Sequence, residues 1–262
     1  MLNSCNNAAQ RSGVGGELFF KTDSISVIDP GCKSKIADDC SYVKMRFPVF
    51  SGKGARYLNQ QVALLLRNSQ KLILNSDEPL IAKNANALAP AFFKERLKQV
   101  DQAGIPDDEN TRDINTTWVL DGFVEADTSF TRFITLIHFQ QAYTGGAHGS
   151  YFTEYHLFDP ASERPLTITD FLKNTSDTTA LKTIAQASGV WLNGKGEPSF
   201  LESDEVPFFL NWDNFYFNKQ GMVFKYQIYE VASYAEGSFD LLMPFEKLRG
   251  VLKTDYLPEE KQ

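Results

Sequence analysis

The segment YTGGAHGSY, residues 143–151, separates two long runs in which apolar and polar residues alternate, residues 130–142 and 150–159. Such alternation is typical of strands with one buried face. Glycine adopts the positive-φ conformations of tight turns at little cost, so the glycines around His148 predict the turn of an antiparallel hairpin. Glycine also leaves backbone N–H groups accessible to a ligand. The turn is therefore a structural element and a candidate contact site.

The composition favours a sheet-rich protein with a sizeable core. Of the 262 residues, 42% are hydrophobic and 23% are charged, as in ordinary folded domains. Aromatic residues make up 13%, and such residues are enriched in strands. The net charge is −7 without a cluster of Lys or Arg, so nucleic acid is not an expected partner, whereas a cationic protein is electrostatically compatible. No apolar run approaches the roughly 20 residues of a membrane-spanning helix.

The periodicity predicts an α+β protein in which helices pack on an antiparallel sheet. Strands are predicted at residues 17–28, 42–50, 118–126, 130–142, 150–159, 215–217, 222–231 and 238–243. Helices are predicted at residues 57–73, 88–100, 178–188 and 244–251, and Thr169 with Asp170 is expected to cap a further short helix. We expect two closely associated domains, residues 17–160 and residues 161–256, that share the sheet.

The three cysteines indicate an oxidising compartment. Cys32 and Cys40 bracket a short polar loop, which predicts a local disulfide; two unrelated reduced thiols are the alternative, and zinc would need further sulfur or histidine ligands nearby. Disulfides persist outside the cytosol.

Cys5 follows Leu2-Asn3-Ser4, which resembles the end of a bacterial lipoprotein signal. The prediction is a lipid anchor at Cys5, followed by a flexible tether within residues 1–16, on a protein that faces the periplasm or the exterior.

An ordered set of motifs resembles a bacterial extracytoplasmic domain family of largely unknown function. The motifs are YTGGAHG at residues 143–149, FDP at 158–160, PLTITDFL at 165–172, GMVFKYQIYEVASYAEG at 221–237 and LLMPFEKL at 241–248. That family includes the ectodomain of a lysozyme-sensing anti-sigma factor, and residues 17–142 resemble a domain found beside a peptidoglycan deacetylase catalytic domain. The resemblance implies an α+β fold and a cell-envelope setting without catalysis. Ser233 stands where relatives often carry proline, and the absence of a sigma-binding region argues against transferring the anti-sigma role.

Two loops are the predicted ligand-binding sites. The first contributes Tyr143, Gly145, Gly146, His148 and Ser150, and the second contributes Ser233 and Tyr234. No catalytic residue, metal ligand or cofactor is assigned, because Ser150 near His148 lacks an acid and an oxyanion context. Three tyrosines lie near the second loop, Tyr226, Tyr229 and Tyr234. We interpret them as packed within the sheet rather than as a stacking platform for a sugar, although the loop position of Tyr234 favours exposure of its side chain.

The leading hypothesis is a non-enzymatic envelope lipoprotein that binds lysozyme, a similar protein or peptidoglycan fragments through these loops. An alternative is a metal-dependent envelope hydrolase. In one hairpin register His138 would face Glu154 with His156 as a diagonal neighbour, which supplies metal ligands; in the other register the two histidines would point to opposite faces. A purely structural accessory domain is a third hypothesis.

Overall fold

The computed structural model describes residues 10–11, 18–32, 40–69, 87–102, 117–199 and 210–257. Cys5 and most of the predicted tether lie outside these ranges. The chain divides into two compact units, residues 1–152 with 159–163 and residues 153–158 with 164–262. Both units combine helices with a sheet, which confirms the α+β prediction. Within the described ranges, no helix has the length and hydrophobicity required to span a membrane.

The first unit is built on a sheet whose strands follow one another in chain order. The strands are β1 (Gln10–Arg11), β2 (Leu18–Ile28), β3 (Tyr42–Gly52), β4 (Val119–Asp127), β5 (Ile134–Tyr143) and the start of β6 (Ser150–Asp159). The pairs β2–β3 and β4–β5 are antiparallel, whereas β3–β4 is parallel. The parallel pair arises because a helical segment connects β3 to β4, and a parallel pair needs such a crossover.

Two helices, α1 (Ala55–Asn68) and α2 (Leu88–Gln102), lie between β3 and β4 in the chain. The apolar residues of α1 recur at helical spacing and are buried, namely Leu58, Val62, Leu65 and Leu66. Gly54 precedes α1 with φ 77°, and a Cβ there would lie 2.6 Å from the Pro160 carbonyl oxygen. Asn59 receives a hydrogen bond from the Phe50 N–H and donates one to its carbonyl, at 2.8 and 2.9 Å. These contacts fix the start of α1 against the end of β3.

The second unit contains a four-stranded sheet in the order β8-β11-β10-β9. Its strands are β8 (Val190–Leu192), β9 (Phe215–Phe217), β10 (Gly221–Tyr226) and β11 (Phe239–Pro244), and the short strand β7 (Arg164–Leu166) also belongs to this unit. Its helices are α3 (Ile168–Phe171), α4 (Thr178–Ser188) and α5 (Phe245–Leu248). Phe171 is fully buried and its ring contacts those of Phe215 and Phe217, so an aromatic core joins α3 to the sheet.

Several element boundaries differ from the prediction. Strand β10 ends at Tyr226 rather than at residue 231, because a turn follows in which Tyr229 has φ 67°. The N-cap of α3 is Thr167 rather than Thr169; the backbone N–H of Thr167 donates to the Asp170 carboxylate at 2.8 Å. Strand β8 was not predicted, because its three residues are all apolar and show no alternation. The equally short β9 was predicted because a turn at residues 218–221 follows it.

The predicted disulfide between Cys32 and Cys40 is present in the first unit, with the Cα atoms 5.7 Å apart. We expect Cys32→Ser to lower the free energy of unfolding by about 2–3 kcal/mol, because the bond restricts a short loop of the unfolded chain. Urea unfolding with and without dithiothreitol measures this loss. Cys5→Ser is the matched control and should leave the midpoint unchanged. Equal midpoints for wild type and Cys32→Ser would show that the bond does not form in solution.

Candidate functional site

The glycine–histidine turn lies between β5 and β6 in the first unit and exposes its tip. Gly145 and Gly146 have φ of 96° and 91°, which only glycine adopts without strain. The Tyr143 hydroxyl donates to the Gly146 carbonyl at 3.0 Å. The His148 side chain is exposed, and its Nδ1 lies 3.1 Å from the Gly149 carbonyl oxygen. The turn is thus internally fixed and presents its backbone and one imidazole to solvent.

The second predicted loop, in the second unit, is capped by its own side chains. The Ser233 N–H and hydroxyl both donate to the Glu236 carboxylate, at 3.0 and 2.9 Å, which closes a capping box around a short 3₁₀ turn. Gly237 ends the turn with φ 81°. Tyr234 lies in this turn and is partly exposed. The predicted contact residues Ser233 and Tyr234 are therefore held on a defined backbone.

Tyr229 extends this loop with an exposed aromatic ring. Its side chain is 63% exposed, and its ring centroid lies 5.8 Å from that of Tyr234. Tyr226 is fully buried. The sheet-packing interpretation is therefore right for Tyr226 and wrong for Tyr229. Tyrosine is enriched at protein–protein interfaces relative to the rest of the protein surface.

Hydrogen bonds from Gln227 and Glu230 hold the turn that carries Tyr229. The Gln227 N–H donates to the Glu230 carboxylate at 2.6 Å. The Gln227 side chain accepts from the Thr153 N–H at 3.0 Å and donates to the Thr153 carbonyl at 2.6 Å. Tyr229 is a non-glycine residue at positive φ, a conformation that costs of order 1–3 kcal/mol and persists only where neighbouring contacts impose it. The surrounding contacts thus hold Tyr229 outward at an energetic cost.

The loop that carries the two tyrosines is acidic. Residues 227–237 contain Glu230 and Glu236 and neither Lys nor Arg, and both carboxylate residues are exposed. We call residues 227–237 the tyrosine loop. Two tyrosine rings and two carboxylates therefore occupy one loop.

A buried serine–histidine pair in the first unit was not anticipated from the sequence. The Ser69 hydroxyl oxygen lies 3.0 Å from His138 Nε2, and the side chain of Gln140 donates to the Ser69 carbonyl. All three residues are fully buried, and the His138 ring packs edge-on against Phe152. The spacing resembles that of a nucleophile and its base, but burial excludes a substrate. The pair anchors the end of α1 to β5.

His156, the second histidine of the metal-dependent hydrolase hypothesis, belongs to the second unit. There His156 Nε2 lies 3.4 Å from a Glu154 carboxylate oxygen, and both side chains are about one-third exposed. His138 belongs to the first unit, where Ser69 is its neighbour. The metal-dependent hydrolase stays a hypothesis.

The second unit also contains a buried cluster of charged and phenolic groups. Lys225 Nζ lies 3.2 Å from Asp240 Oδ1 and donates to the Ser238 hydroxyl at 3.0 Å. The Tyr216 hydroxyl donates to Asp240 at 3.4 Å, and the Tyr155 ring stacks on that of Tyr216 with centroids 4.0 Å apart. The sequence placed Lys225 and Asp240 in strands but did not reveal that they are directly opposite in register.

Burial dominates the protonation behaviour of this cluster. It raises the pKa of Asp240 despite the opposing effects of Lys225 and Tyr216. Burial, together with the Asp240 charge, raises the pKa of Tyr155 to about 12 and also raises the pKa of Tyr216. Both phenols stay protonated at physiological pH, so neither is an activated nucleophile.

Fold and loops together define an α+β protein whose C-terminal unit carries a recognisable domain. Residues 157–246 match the model of a family described as "Protein of unknown function (DUF3298)". This segment includes the tyrosine loop and the whole four-stranded sheet. The match agrees with the predicted resemblance to a family of unknown function, and it assigns neither a ligand nor a reaction.

Two solved structures share the fold over nearly the whole chain. One is a DUF3298 family protein from Pseudomonas aeruginosa PAO1, with a TM-score of 0.61 and 17% identity over 92% of this chain and 97% of that chain. The other is a DUF3298 family member from Bacteroides fragilis NCTC 9343, with a TM-score of 0.60 and 16% identity over 93% of this chain and 96% of that chain. At these identities the likeness concerns the fold alone. A comparison with curated proteins finds no match.

Proposed function

We propose that this chain is a non-enzymatic protein of the bacterial cell envelope that binds a cationic protein through the tyrosine loop. The observation that carries the proposal is the exposed ring of Tyr229 beside the partly exposed ring of Tyr234, both on a hydrogen-bonded backbone. Tyrosine is among the residues that contribute most binding energy at protein interfaces. It also provides a large contact area while losing the freedom of only two side-chain torsions. A fixed loop reduces the entropy lost on association further.

The negative charge of the tyrosine loop and of the whole chain favours a positively charged protein as the partner. Glu230 and Glu236 flank the two rings, and the chain carries a net charge of −7. Complementary charge raises the association rate and disfavours acidic partners. Lysozyme, a basic protein, is the first probe because the motifs at residues 221–237 resemble those of a lysozyme-sensing ectodomain. Peptidoglycan fragments are the second probe, since the same resemblance places the chain at the cell wall.

Two features support the envelope setting. The disulfide between Cys32 and Cys40 requires an oxidising compartment to persist in most bacteria. Cys5 lies in a sequence that resembles a lipoprotein cleavage site, and lipid attachment there would tether the protein to a membrane by its N-terminus.

The glycine–histidine turn is proposed as a separate contact within the first unit. Gly145 and Gly146 leave backbone groups accessible, and His148 adds an exposed donor and acceptor. Tyr143 and Ser150 frame the turn, where Tyr143 fixes its shape through the hydrogen bond to Gly146. The variant His148→Ala measures the contribution of this turn to ligand binding separately from that of the tyrosine loop.

We expect Tyr229→Ala and Tyr234→Ala each to weaken lysozyme binding by about 2 kcal/mol, roughly thirtyfold in Kd, because each deletes an aromatic ring from the proposed contact. Tyr229→Phe should keep most of the affinity, since it retains the ring. Isothermal titration calorimetry with hen egg-white lysozyme measures these values. Rising salt should weaken binding as the charges are screened.

Val190→Ala is the matched control, because Val190 is an exposed apolar residue of the same unit outside the loop. Its Kd should equal that of wild type. Failure of wild type to bind lysozyme would remove the protein-ligand proposal. Binding of peptidoglycan fragments that both tyrosine variants abolish would instead assign the loop to the cell wall.

A further inference from the structure

The outer face of the first unit's sheet carries ordered rows of exposed side chains. Residues alternate between the two faces of a strand, and the inner residues of this region, such as Val43, Met45 and Leu120, are almost fully buried. The residues between them point to the other side. A cleft of about 470 Å³ lies on this second side, across β2, β3, β4 and β5. Ligand pockets in proteins commonly have volumes of about 300–1,000 Å³.

One row is entirely polar. Register pairs Ser26 with Lys44, Lys44 with Asp121, and Asp121 with Gln141. Ser26, Lys44 and Gln141 are exposed and Asp121 is half-buried. With strands about 4.8 Å apart, four side chains in a row extend over about 14 Å. The row therefore offers alternating hydrogen-bond donors and acceptors over a length suited to a short chain ligand.

The neighbouring row is aromatic. Register pairs Arg46 with Phe123, and Phe123 with Phe139. The two phenyl rings stack with centroids 5.2 Å apart, and the Arg46 guanidinium lies 5.6 Å from the Phe123 centroid. On the opposite side of the polar row, register pairs Tyr42 with Val119, and Val119 with Tyr143. The polar row is thus bordered on both sides by aromatic side chains, and the glycine–histidine turn begins at one of them.

The charges on this face are balanced within the protein. Arg46 lies 3.3 Å from the Glu125 carboxylate, Lys44 Nζ lies 4.5 Å from the Tyr42 ring centroid, and Asp121 is the register partner of Lys44. Such a surface offers no net positive charge for a phosphate backbone. An apolar helix is equally unsuited, because it would bury the polar row without hydrogen-bond partners. A ligand that fits needs hydroxyl or amide groups along one edge and apolar C–H faces beside them.

We propose that this outer sheet face binds a neutral oligosaccharide. Sugar hydroxyls and acetamido groups both donate and accept hydrogen bonds, which matches Lys44, Asp121 and Gln141. The C–H faces of the sugar rings pack against Phe123 and Phe139. This site lies within the first unit and shares no residue with the tyrosine loop, so it adds a glycan-binding activity to the proposed binding of a protein.

Calorimetry of the full chain with chitohexaose and cellohexaose tests the proposal. We expect at least one of these neutral hexasaccharides to bind. Gln141→Ala should weaken binding about fivefold through loss of a hydrogen bond. Phe123→Leu keeps an apolar side chain but removes the ring, and should weaken binding about three- to tenfold. Gln141 is exposed, so its variant should keep the wild-type urea midpoint.

Gln60→Ala is the matched control for Gln141→Ala, because Gln60 is an exposed glutamine of α1 outside this face, and its Kd should be unchanged. Tyr229→Ala should also bind the oligosaccharide with wild-type affinity, which separates this site from the tyrosine loop. The proposal is overturned if neither hexasaccharide binds, or if Gln141→Ala and Phe123→Leu both bind as wild type does. Binding of an acidic peptide in place of either sugar would overturn it as well.

Discussion

Lys225→Met is expected to lower the free energy of unfolding by about 3–5 kcal/mol at neutral pH, because it leaves the buried Asp240 carboxylate without its cation. The two side chains are only 9% and 17% exposed, so solvent does not compensate for the lost partner. Burial already raises the pKa of Asp240 with Lys225 present. Removal of the cation should raise that pKa further.

The direction of this pKa shift fixes the pH dependence of the variant. A carboxyl group whose folded-state pKa is raised stabilises the folded state below its unfolded pKa, and this stabilisation is lost as pH rises through the folded pKa. Lys225→Met should therefore regain stability as pH falls from neutral towards about 4, the ordinary aspartate value. Urea unfolding at a series of pH values between these limits measures the recovery.

Two further variants distinguish the loss of the Lys225–Asp240 ion pair from the cost of burying its two charges. Asp240→Asn leaves the lysine buried and charged, so we expect destabilisation that acidification does not relieve. Lys225→Met combined with Asp240→Leu removes both charges and should lie within about 1 kcal/mol of wild type, since apolar replacements of whole buried pairs are often neutral. A loss below about 1 kcal/mol for Lys225→Met alone at neutral pH would show that the pair is hydrated in solution.

The second large effect is expected at Gly221. A Cβ on this residue would lie 1.9 Å from the backbone carbonyl oxygen of Met243, on the strand that pairs with β10. A backbone atom cannot rotate away as a side chain does, so β10 and β11 would have to separate. We expect Gly221→Ala to cost about 3 kcal/mol or more, measured as a lower urea midpoint or melting temperature.

Gly250→Ala is the control for Gly221→Ala. Gly250 belongs to the same unit, and a Cβ there would meet nothing within 4 Å. This variant should retain wild-type stability or gain a few tenths of a kcal/mol from reduced freedom of the unfolded chain. Equal midpoints for the two alanine variants would contradict the close approach of β10 to β11.

Features set by short-range pattern were predictable from the sequence. The spacing of Leu58, Val62, Leu65 and Leu66 predicted α1, because a helix turns every 3.6 residues regardless of what it packs against. Alternation predicted β2 to β6, and the glycines at residues 145–149 predicted the turn between β5 and β6. The pairing of Cys32 with Cys40 followed from their proximity in the chain.

Features set by contacts between distant residues were not predictable in the same way. Ser69 and His138 are 69 residues apart in the chain, and nothing local in either segment indicates their contact. The end of β10 at Tyr226 was also missed, because the apolar residues after it continue the alternation. The contacts of Gln227 with Thr153 and Glu230 turn the chain there instead.

The candidate sites show the same division. Local sequence was enough to predict the α+β class, the strand and helix periods, and the positions of the two candidate loops, residues 143–150 and 232–237. Contacts between distant segments determine that Tyr229 is exposed while Tyr226 is buried. They also place Lys225 opposite Asp240, and Lys44, Asp121 and Gln141 in one row. A strand's own sequence fixes which residues share a face, whereas the register with neighbouring strands fixes which side chains meet, and packing across the whole sheet sets that register.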